Sequence, residues 1–138
     1  MSTSGEEDSV GSLRFKTAIK LVSWDCQGFR SHVDDLKNIV NKYQPACLGL
    51  QETYLTPEHS TKIKSYNILR KDYTFGSRAS GGVALLVTQV FPYRQISINS
   101  PIQAVAVQLH VVSLLTICCI YLPPNDNIPQ QEIDDLIK

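Results

Sequence analysis

Polar side chains with carboxylate and amide groups follow two apolar runs in the first third of the chain. Asp25 and Gln27 come after the run of residues 17–24, and Glu52 lies just beyond the run of residues 46–50. If the two runs are neighbouring parallel strands, their carboxyl ends open onto one crevice, which is where α/β sheets hold their ligands. These side chains therefore define a potential site.

The elements that must position these groups form a strand, helix, strand unit. The first run is apolar and β-branched, as in a buried strand. Ser31 and Asp34 have the spacing of a capping-box variant, and apolar side chains then recur at helical spacing as far as Pro45. This predicts a helix of about three turns. A crossover of this length makes the two strands parallel and brings the polar stretches together.

The rest of the chain predicts more strands than helices. The expected elements, in order, are a strand over residues 63–70, a charged and flexible stretch over 71–80, a strongly buried strand over 83–87, an antiparallel hairpin of 104–110 with 114–121, and a final helix with Pro129 in its first turn. The fold class is therefore α/β.

Composition is that of one globular domain. The 138 residues include 13 basic and 13 acidic side chains and are 43% hydrophobic, which excludes collagen-like, low-complexity and disordered classes. Residues 1–14 begin with a polar, acidic stretch and predict a disordered tail before a domain over residues 15–138. Residues 14–94 contain 12 basic and 6 acidic side chains, a net charge of +6 that permits contact with phosphate.

Targeting signals and a disulfide framework are both missing from the sequence pattern. The longest apolar run is shorter than the roughly 20 residues of a membrane helix, and the first residues are acidic where a signal peptide is basic. We therefore expect an intracellular protein with no membrane partner. The spacing of the four cysteines predicts free thiols that are mostly buried.

Several sequence blocks resemble, in order, the endonuclease/exonuclease/phosphatase superfamily. They are LVSWDCQGFR (residues 21–30), LGLQET (48–53), GGVALL (81–86) and IYLPPN (120–125). A narrower resemblance is to the amino-terminal endonuclease of jockey-type non-LTR retrotransposons, an apurinic-site-nuclease-like domain that precedes a reverse transcriptase. It is carried by QETYL (51–55), RKD (70–72), QAVAV (103–107) and YLPPN (121–125). The resemblance implies a partial four-layer α/β sandwich, the first half of the superfamily fold, with a mixed sheet and an early βαβ unit.

The resemblance also implies roles for five residues. Glu52 matches the glutamate that binds Mg²⁺, with Mn²⁺ as an alternative, and Tyr121 matches a tyrosine whose hydroxyl reaches the phosphate. Asp25 stands where the family has an asparagine, so an acceptor-only carboxylate replaces an amide that also donates. Asp25, Glu52 and Tyr121 are the expected catalytic residues. Gln27, where repair-type relatives carry a second acid, and Arg30, at the helix entrance, are expected to bind substrate.

Three further cations and the three histidines have weaker claims to a role in the site, and none of the histidines matches a catalytic position of the family. Lys71, Arg78 and Arg94 are expected to be surface charges that become candidates for a DNA face only by analogy. The three histidines, His32, His59 and His110, are scattered along the sequence.

The resemblance implies a parent function but little activity for this chain. The parent domain would nick target DNA, with Mg²⁺, for target-primed reverse transcription, with the reverse transcriptase domain and element RNA as partners, in the nucleus or cytoplasm. The family's downstream Gly-Asp-Phe-Asn and Ser-Asp-His segments are not among the 138 residues. Since removing one general acid or base costs roughly 10²- to 10⁴-fold, we expect background activity. The alternatives are a non-catalytic DNA- or protein-binding module and a phosphatase-type member of the superfamily.

The resemblance to the superfamily also implies that one sheet face of this chain is uncovered. The second sheet of the family comes mostly from the carboxyl-terminal half, so the inner faces of residues 83–87 and 114–120 are expected to lack a covering layer. The resulting apolar patch predicts marginal stability, aggregation or dependence on a partner.

Overall fold

The computed structural model describes residues 19–123 as two packed sheets and one α-helix. The elements are β1 (Leu21–Asp25), a 3₁₀ turn (Arg30–His32), α1 (Val33–Tyr43), β2 (Cys47–Gln51), β3 (Tyr66–Lys71), β4 (Thr74–Phe75), β5 (Arg78–Ala79), β6 (Val83–Thr88), β7 (Tyr93–Ile96), β8 (Gln103–His110) and β9 (Leu114–Tyr121). The first sheet has the order β1-β2-β6-β3 and the second has the order β7-β8-β9. Strands β4 and β5 form a separate short hairpin within the stretch predicted to be flexible.

The predicted βαβ unit is confirmed. Strands β1 and β2 are parallel, with Asp25 opposite Gln51, so the two polar stretches leave the same edge of the first sheet. Helix α1 covers one face of this sheet because its buried side chains Leu36 and Val40 join a core cluster with the helix-facing side chains of β2 and β6. Strand β6 runs antiparallel to β2, which makes the sheet mixed as expected.

The start of α1 differs from the prediction of a capping box. A 3₁₀ turn precedes the helix, and the residue at the N-cap, His32, makes no side-chain capping hydrogen bond. The Ser31 hydroxyl instead donates to the Gly28 carbonyl at 3.5 Å. Asp34 lies in the first helical turn, where its charge favours the helix dipole without a reciprocal cap.

The expectation of an uncovered face along residues 83–87 is wrong. Val83, Leu85 and Val87 are at most 1% exposed. They belong to one core cluster with Val105 and Val107 of β8, the central strand of the second sheet, so this sheet provides the covering layer. Burying a side chain of this size stabilises the fold by about 1.5–3 kcal/mol.

Strand β9 is only partly covered. It pairs with β8 along its whole length, and Cys119 is buried against the first sheet. A Cβ atom at Gly49 of β2 would lie 3.1 Å from the Cys119 sulfur, so the two sheets approach closely at this point. Leu114 is 61% exposed and Cys118 is also exposed, because alternate side chains of β9 face away from the core.

The predicted antiparallel hairpin is confirmed by β8 and β9, and the predicted strand over residues 63–70 is present as β3, which starts three residues later. All four cysteines are free, and three of them are buried. The proposed tail over residues 1–14, the first residues of the proposed domain and the helix predicted near Pro129 lie outside the described residues. Within residues 19–123, no helix is long and apolar enough to cross a membrane.

Candidate functional site

Three loops meet at the edge of the first sheet where β1 and β2 end. The Gly28 N–H donates to the Glu52 carbonyl at 2.8 Å, and the Tyr54 N–H donates to the Gly81 carbonyl at 2.9 Å. The first bond joins the loop after β1 to the loop after β2. The second bond joins the loop after β2 to the loop before β6. The backbone around the site is therefore held by main-chain hydrogen bonds between segments far apart in sequence.

The third loop requires glycine at position 82. Gly82 has a φ of +95°, and a Cβ atom there would lie 2.6 Å from the Thr53 hydroxyl oxygen. Its N–H donates to the Gln103 side-chain oxygen at 2.6 Å in a buried position. Gly82 thus lets the loop before β6 approach both the loop after β2, at Thr53, and the start of β8, at Gln103.

The β2 loop also stores backbone strain. Glu52 and Tyr54 both have positive φ, at 55° and 53°. Non-glycine residues adopt this region rarely and at some cost in energy, and such positions cluster at functional sites. The side chains of these two residues meet in a hydrogen bond from the Tyr54 hydroxyl to Glu52.

Asp25 and Glu52, the two predicted carboxylates, are in contact. Partial desolvation raises the pKa of Asp25, and a hydrogen bond with Glu52 and the charge of Glu52 raise it further. A hydrogen bond from the Gln27 backbone acts in the opposite direction. Two carboxyl groups this close disfavour simultaneous ionisation, so Asp25 holds a proton more readily than an isolated aspartate does.

Tyr54 was not among the predicted site residues. Its hydroxyl donates to Glu52 Oε1 at 2.5 Å, and this bond is the main reason that the pKa of Tyr54 rises to about 12. Tyr121 lies at the end of β9, opposite Gln103, and repulsion between its phenolate and that of Tyr54 makes a smaller contribution to the same rise in the pKa of Tyr54. The structure therefore brings Asp25, Glu52 and Tyr121 together and adds Tyr54. In the sequence, only its position two residues after Glu52 could have indicated it.

The predicted substrate-binding residues behave differently from each other. The Gln27 side chain is exposed, and its contribution to the site is the backbone hydrogen bond to Asp25. Arg30 lies in the 3₁₀ turn, and its Nη1 atom is 3.0 Å from Nε2 of His59. His59 belongs to the loop after β2, so the cation at the helix entrance faces a side chain from the neighbouring loop.

Residues 70–72 have structural roles. Arg70 forms an ion pair with Asp72 at 2.9 Å and donates to the Thr56 carbonyl at 2.8 Å. Lys71 donates to the carbonyls of Ser100 and Ile102. Both cations are therefore engaged within the chain.

The donor set of the site suits a hard cation. Mg²⁺ is usually bound by one or two carboxylates together with water and substrate phosphate oxygens, and Asp25 and Glu52 supply two carboxylates. Within residues 19–123, no group of three or more His, Cys, Asp or Glu side chains could hold a metal ion. The site thus fits Mg²⁺ or Mn²⁺ only as an ion shared with water or substrate.

The arrangement of these sheets and loops was compared with that of known proteins. No family model matches the sequence, and no curated protein matches it. Among solved structures, the chain is similar to the endonuclease domain of TRAS1, a telomere-specific non-LTR retrotransposon, with a TM-score of 0.63 and 12% sequence identity. The match covers 86% of this chain and 52% of that chain, so this chain spans about half the length of the similar structure.

This similarity confirms the predicted fold class. The mixed first sheet, the early βαβ unit and the second sheet all lie within a chain of which 86% matches an endonuclease domain. At 12% identity, the similarity establishes the fold and leaves the activity to be argued from the site.

Proposed function

We propose that this chain is part of a Mg²⁺-dependent DNA endonuclease of a jockey-type non-LTR retrotransposon, with Mn²⁺ as an alternative ion. The observation that carries the proposal is the contact between Asp25 and Glu52 at the shared edge of two parallel strands. In the parent polyprotein, the enzyme nicks target DNA in the nucleus or cytoplasm to prime reverse transcription, together with the reverse transcriptase domain and element RNA.

The side chains of the site support phosphodiester chemistry. Glu52 and Asp25 would hold the cation, and a bound Mg²⁺ offsets the negative charge of a phosphodiester. Tyr54 donates to one oxygen of Glu52 and so fixes the orientation of this carboxylate. Tyr121 carries a hydroxyl that can donate to a phosphate oxygen, which is the type of group that stabilises charge developing in hydrolysis.

The same site supports low activity of the chain alone. Asp25 replaces the family's asparagine and therefore donates no hydrogen bond to phosphate when it is ionised. Gln27 is a neutral, exposed side chain at the position where repair-type relatives have a second acidic residue. We propose that the chain binds metal and DNA but cleaves DNA only at a background rate.

The test combines DNA binding with cleavage. Fluorescence anisotropy with a labelled DNA duplex, in Mg²⁺ or in EDTA, measures affinity, and relaxation of supercoiled plasmid measures nicking. We expect Mg²⁺ to strengthen DNA binding by the wild-type chain, because the cation neutralises carboxylates that face the phosphates. Glu52→Gln should lose this dependence on Mg²⁺, whereas the control Asp35→Asn, on the exposed surface of α1, should keep it.

Each outcome decides a different part of the proposal. Absence of DNA binding by the wild-type chain contradicts a DNA endonuclease. Binding that is independent of Mg²⁺ and of Glu52 favours the non-catalytic DNA-binding module. Nicking that requires Glu52 retains the endonuclease assignment and overturns the proposed inactivity.

A further inference from the structure

A short hairpin is attached to the sheet edge that carries the two carboxylates. Strand β3 ends at Lys71, and β6 starts at Val83, which pairs with both Lys71 and Gln51. Strands β4 and β5 lie between β3 and β6 in the chain, so the hairpin of residues 73–80 joins these two strands at this edge. Because neighbouring strands are about 4.8 Å apart, the base of the hairpin lies within about 10 Å of the end of β2, which Glu52 follows.

The base of the hairpin is held on both sides by hydrogen bonds. Before β4, the Lys71 ammonium donates to two carbonyls of the loop that precedes β8. After β5, the Gly81 carbonyl accepts from the Tyr54 N–H at 2.9 Å. Across the hairpin, the Ser80 N–H donates to the Tyr73 carbonyl at 2.8 Å. The hairpin is therefore fixed relative to the loop after β2, which forms part of the site.

Two aromatic side chains and an arginine share one face of the hairpin. Phe75 lies directly opposite Arg78, and Tyr73 lies two residues before Phe75, so the three side chains are on the same face. Phe75 is 79% exposed and Tyr73 is 40% exposed. The strands are joined by a two-residue turn that begins at Gly76, where nothing lies within 4 Å of an added Cβ atom. The tip of the hairpin is therefore open to solvent.

Arg78 is a free cation at this tip. The two cations before the hairpin are engaged, since Arg70 pairs with Asp72 and Lys71 binds carbonyls. Within residues 19–123, Arg78 makes no ion pair and no side-chain hydrogen bond, and it is exposed. A guanidinium suits the bidentate recognition of phosphate. The tip thus presents an apolar side chain and a phosphate-binding group next to each other.

This combination fits nucleic acid better than a protein partner. An aromatic side chain buries about 150–250 Å², whereas a stable protein interface buries roughly 800 Å² on each partner. Proteins that bend DNA insert single apolar side chains, phenylalanine among them, between base steps, and basic side chains bind the backbone beside them. Phe75 and Arg78 have these two properties.

We propose that the β4–β5 hairpin inserts Phe75 as an apolar wedge at a base step of the DNA duplex, while Arg78 binds an adjacent backbone phosphate. The inference rests on the proposed function and adds how the duplex is positioned. At about 3.4 Å per base pair, a separation of about 10 Å places the base of the hairpin about three base pairs from the carboxylates. The wedge therefore sets which phosphodiester lies at Asp25 and Glu52.

The first measurement is the affinity of the whole chain for a labelled duplex in Mg²⁺, by fluorescence anisotropy. Phe75→Ala should weaken binding by about five- to twentyfold, whereas Phe75→Leu keeps an apolar wedge and should retain most of the affinity. Val112→Ala is the matched control and should leave the affinity unchanged. Val112 is 92% exposed and lies in the turn after β8, at the other end of that strand from Gln103 and the site.

The phosphate contact is measured through the salt dependence of the same affinities. Arg78→Ala should reduce the slope of log affinity against log salt by about 1, because one cation no longer neutralises a phosphate. Arg94→Ala removes an exposed arginine bonded to Gln108 on the second sheet and should leave the slope unchanged. An unchanged slope in Arg78→Ala overturns the phosphate contact.

The second measurement detects insertion directly. Duplexes that carry the fluorescent base 2-aminopurine at successive positions become brighter where that base is unstacked. The wild-type chain should brighten the probe at one step of the bound duplex. Phe75→Ala should abolish this signal, and Phe75→Leu and Val112→Ala should preserve it. Circular dichroism of each variant shows whether the fold is retained, as expected for changes at exposed side chains.

The outcomes separate this proposal from the proposed function. DNA binding that is unaffected by Phe75→Ala, without an unstacked probe, overturns the wedge and leaves the endonuclease proposal intact. Equal loss of affinity in Phe75→Ala and Phe75→Leu also overturns the wedge, since an apolar side chain would then not be sufficient. Absence of DNA binding by the wild-type chain overturns both proposals.

Discussion

Gly82→Ala is expected to destabilise the chain through two separable effects. An alanine at a φ of +95° has a backbone strain of about 1–2 kcal/mol. Its Cβ atom would also lie 2.6 Å from the Thr53 hydroxyl oxygen in a fully buried position, and such overpacking costs about 1–3 kcal/mol. The free energy of unfolding should therefore fall by about 2–5 kcal/mol.

A double-mutant cycle with Thr53→Ala isolates the steric part. Among the residues that the structure describes, 19–123, the Thr53 hydroxyl has no hydrogen-bond partner. Its removal therefore breaks no bond there, and loss of the methyl group costs about 1 kcal/mol. With the clash removed, Gly82→Ala should cost only the backbone strain, about 1–2 kcal/mol. The other atoms near the added Cβ atom are at 3.6 Å or more, which is ordinary contact.

Urea unfolding of the four proteins, followed by circular dichroism, measures the cycle. Gly76→Ala is the matched control, because Gly76 has a φ of +65° with nothing within 4 Å of an added Cβ atom. It should cost about 1 kcal/mol or slightly more. The reasoning is refuted if Gly82→Ala costs no more than Gly76→Ala, or if its cost is unchanged when Thr53 is alanine.

Three further predictions concern side chains of the site and the core. In metal-free buffer, Glu52→Gln should lower the pKa of Tyr54 from about 12 towards 10, measured as phenolate absorbance against pH. The carboxylate charge that disfavours the phenolate is lost, and the amide oxygen that remains is a weaker acceptor for the Tyr54 hydroxyl. Iodoacetamide at pH 8 should label the exposed Cys118 first. Cys119 should be labelled only on unfolding or at higher pH, because burial raises its pKa to about 11. Equal labelling rates of the two cysteines in mass spectra would contradict this. Arg70→Ala should lower the free energy of unfolding by about 2 kcal/mol, because it removes the half-buried ion pair with Asp72 and the hydrogen bond to the Thr56 carbonyl. A loss below about 0.5 kcal/mol in urea unfolding would contradict this structural role.

The βαβ unit was predictable because its signals are local. The helical spacing before Pro45 and the apolar runs on either side specify two strands and a helix, and a crossover connection of this kind joins parallel strands. This was enough to bring Asp25 and Glu52 to one edge. The hairpin of β8 and β9 was predictable for the same reason.

The second sheet was underestimated because its contacts are not local. Strand β7 has only four residues, and its two central side chains, Arg94 and Gln95, are exposed, so no alternation marks it as a strand. Whether β8 or a later segment covers β6 depends on packing between distant parts of the chain. The family resemblance pointed to a later segment, whereas the structure uses β8.

The details of the site depend on backbone conformations that the sequence pattern does not indicate. Glu52 and Tyr54, which meet in a hydrogen bond, both adopt positive φ, an uncommon state for these residue types. His59 meets Arg30 only because two loops are hydrogen-bonded at their bases. Residue types and spacing therefore predicted that Asp25 and Glu52 leave the same sheet edge, but not that Tyr54 or the Arg30–His59 contact lies beside them.

The most direct test of the central claim is whether Asp25 and Glu52 together bind a divalent cation. Addition of Mn²⁺ to the ¹⁵N-labelled chain should broaden the amide signals of residues 25–28 and 51–54 before all others. Asp25→Asn and Glu52→Gln should each remove this broadening, and Asp35→Asn should preserve it. Broadening that persists in both site variants, or that centres on another part of the chain, would contradict a metal site at these carboxylates.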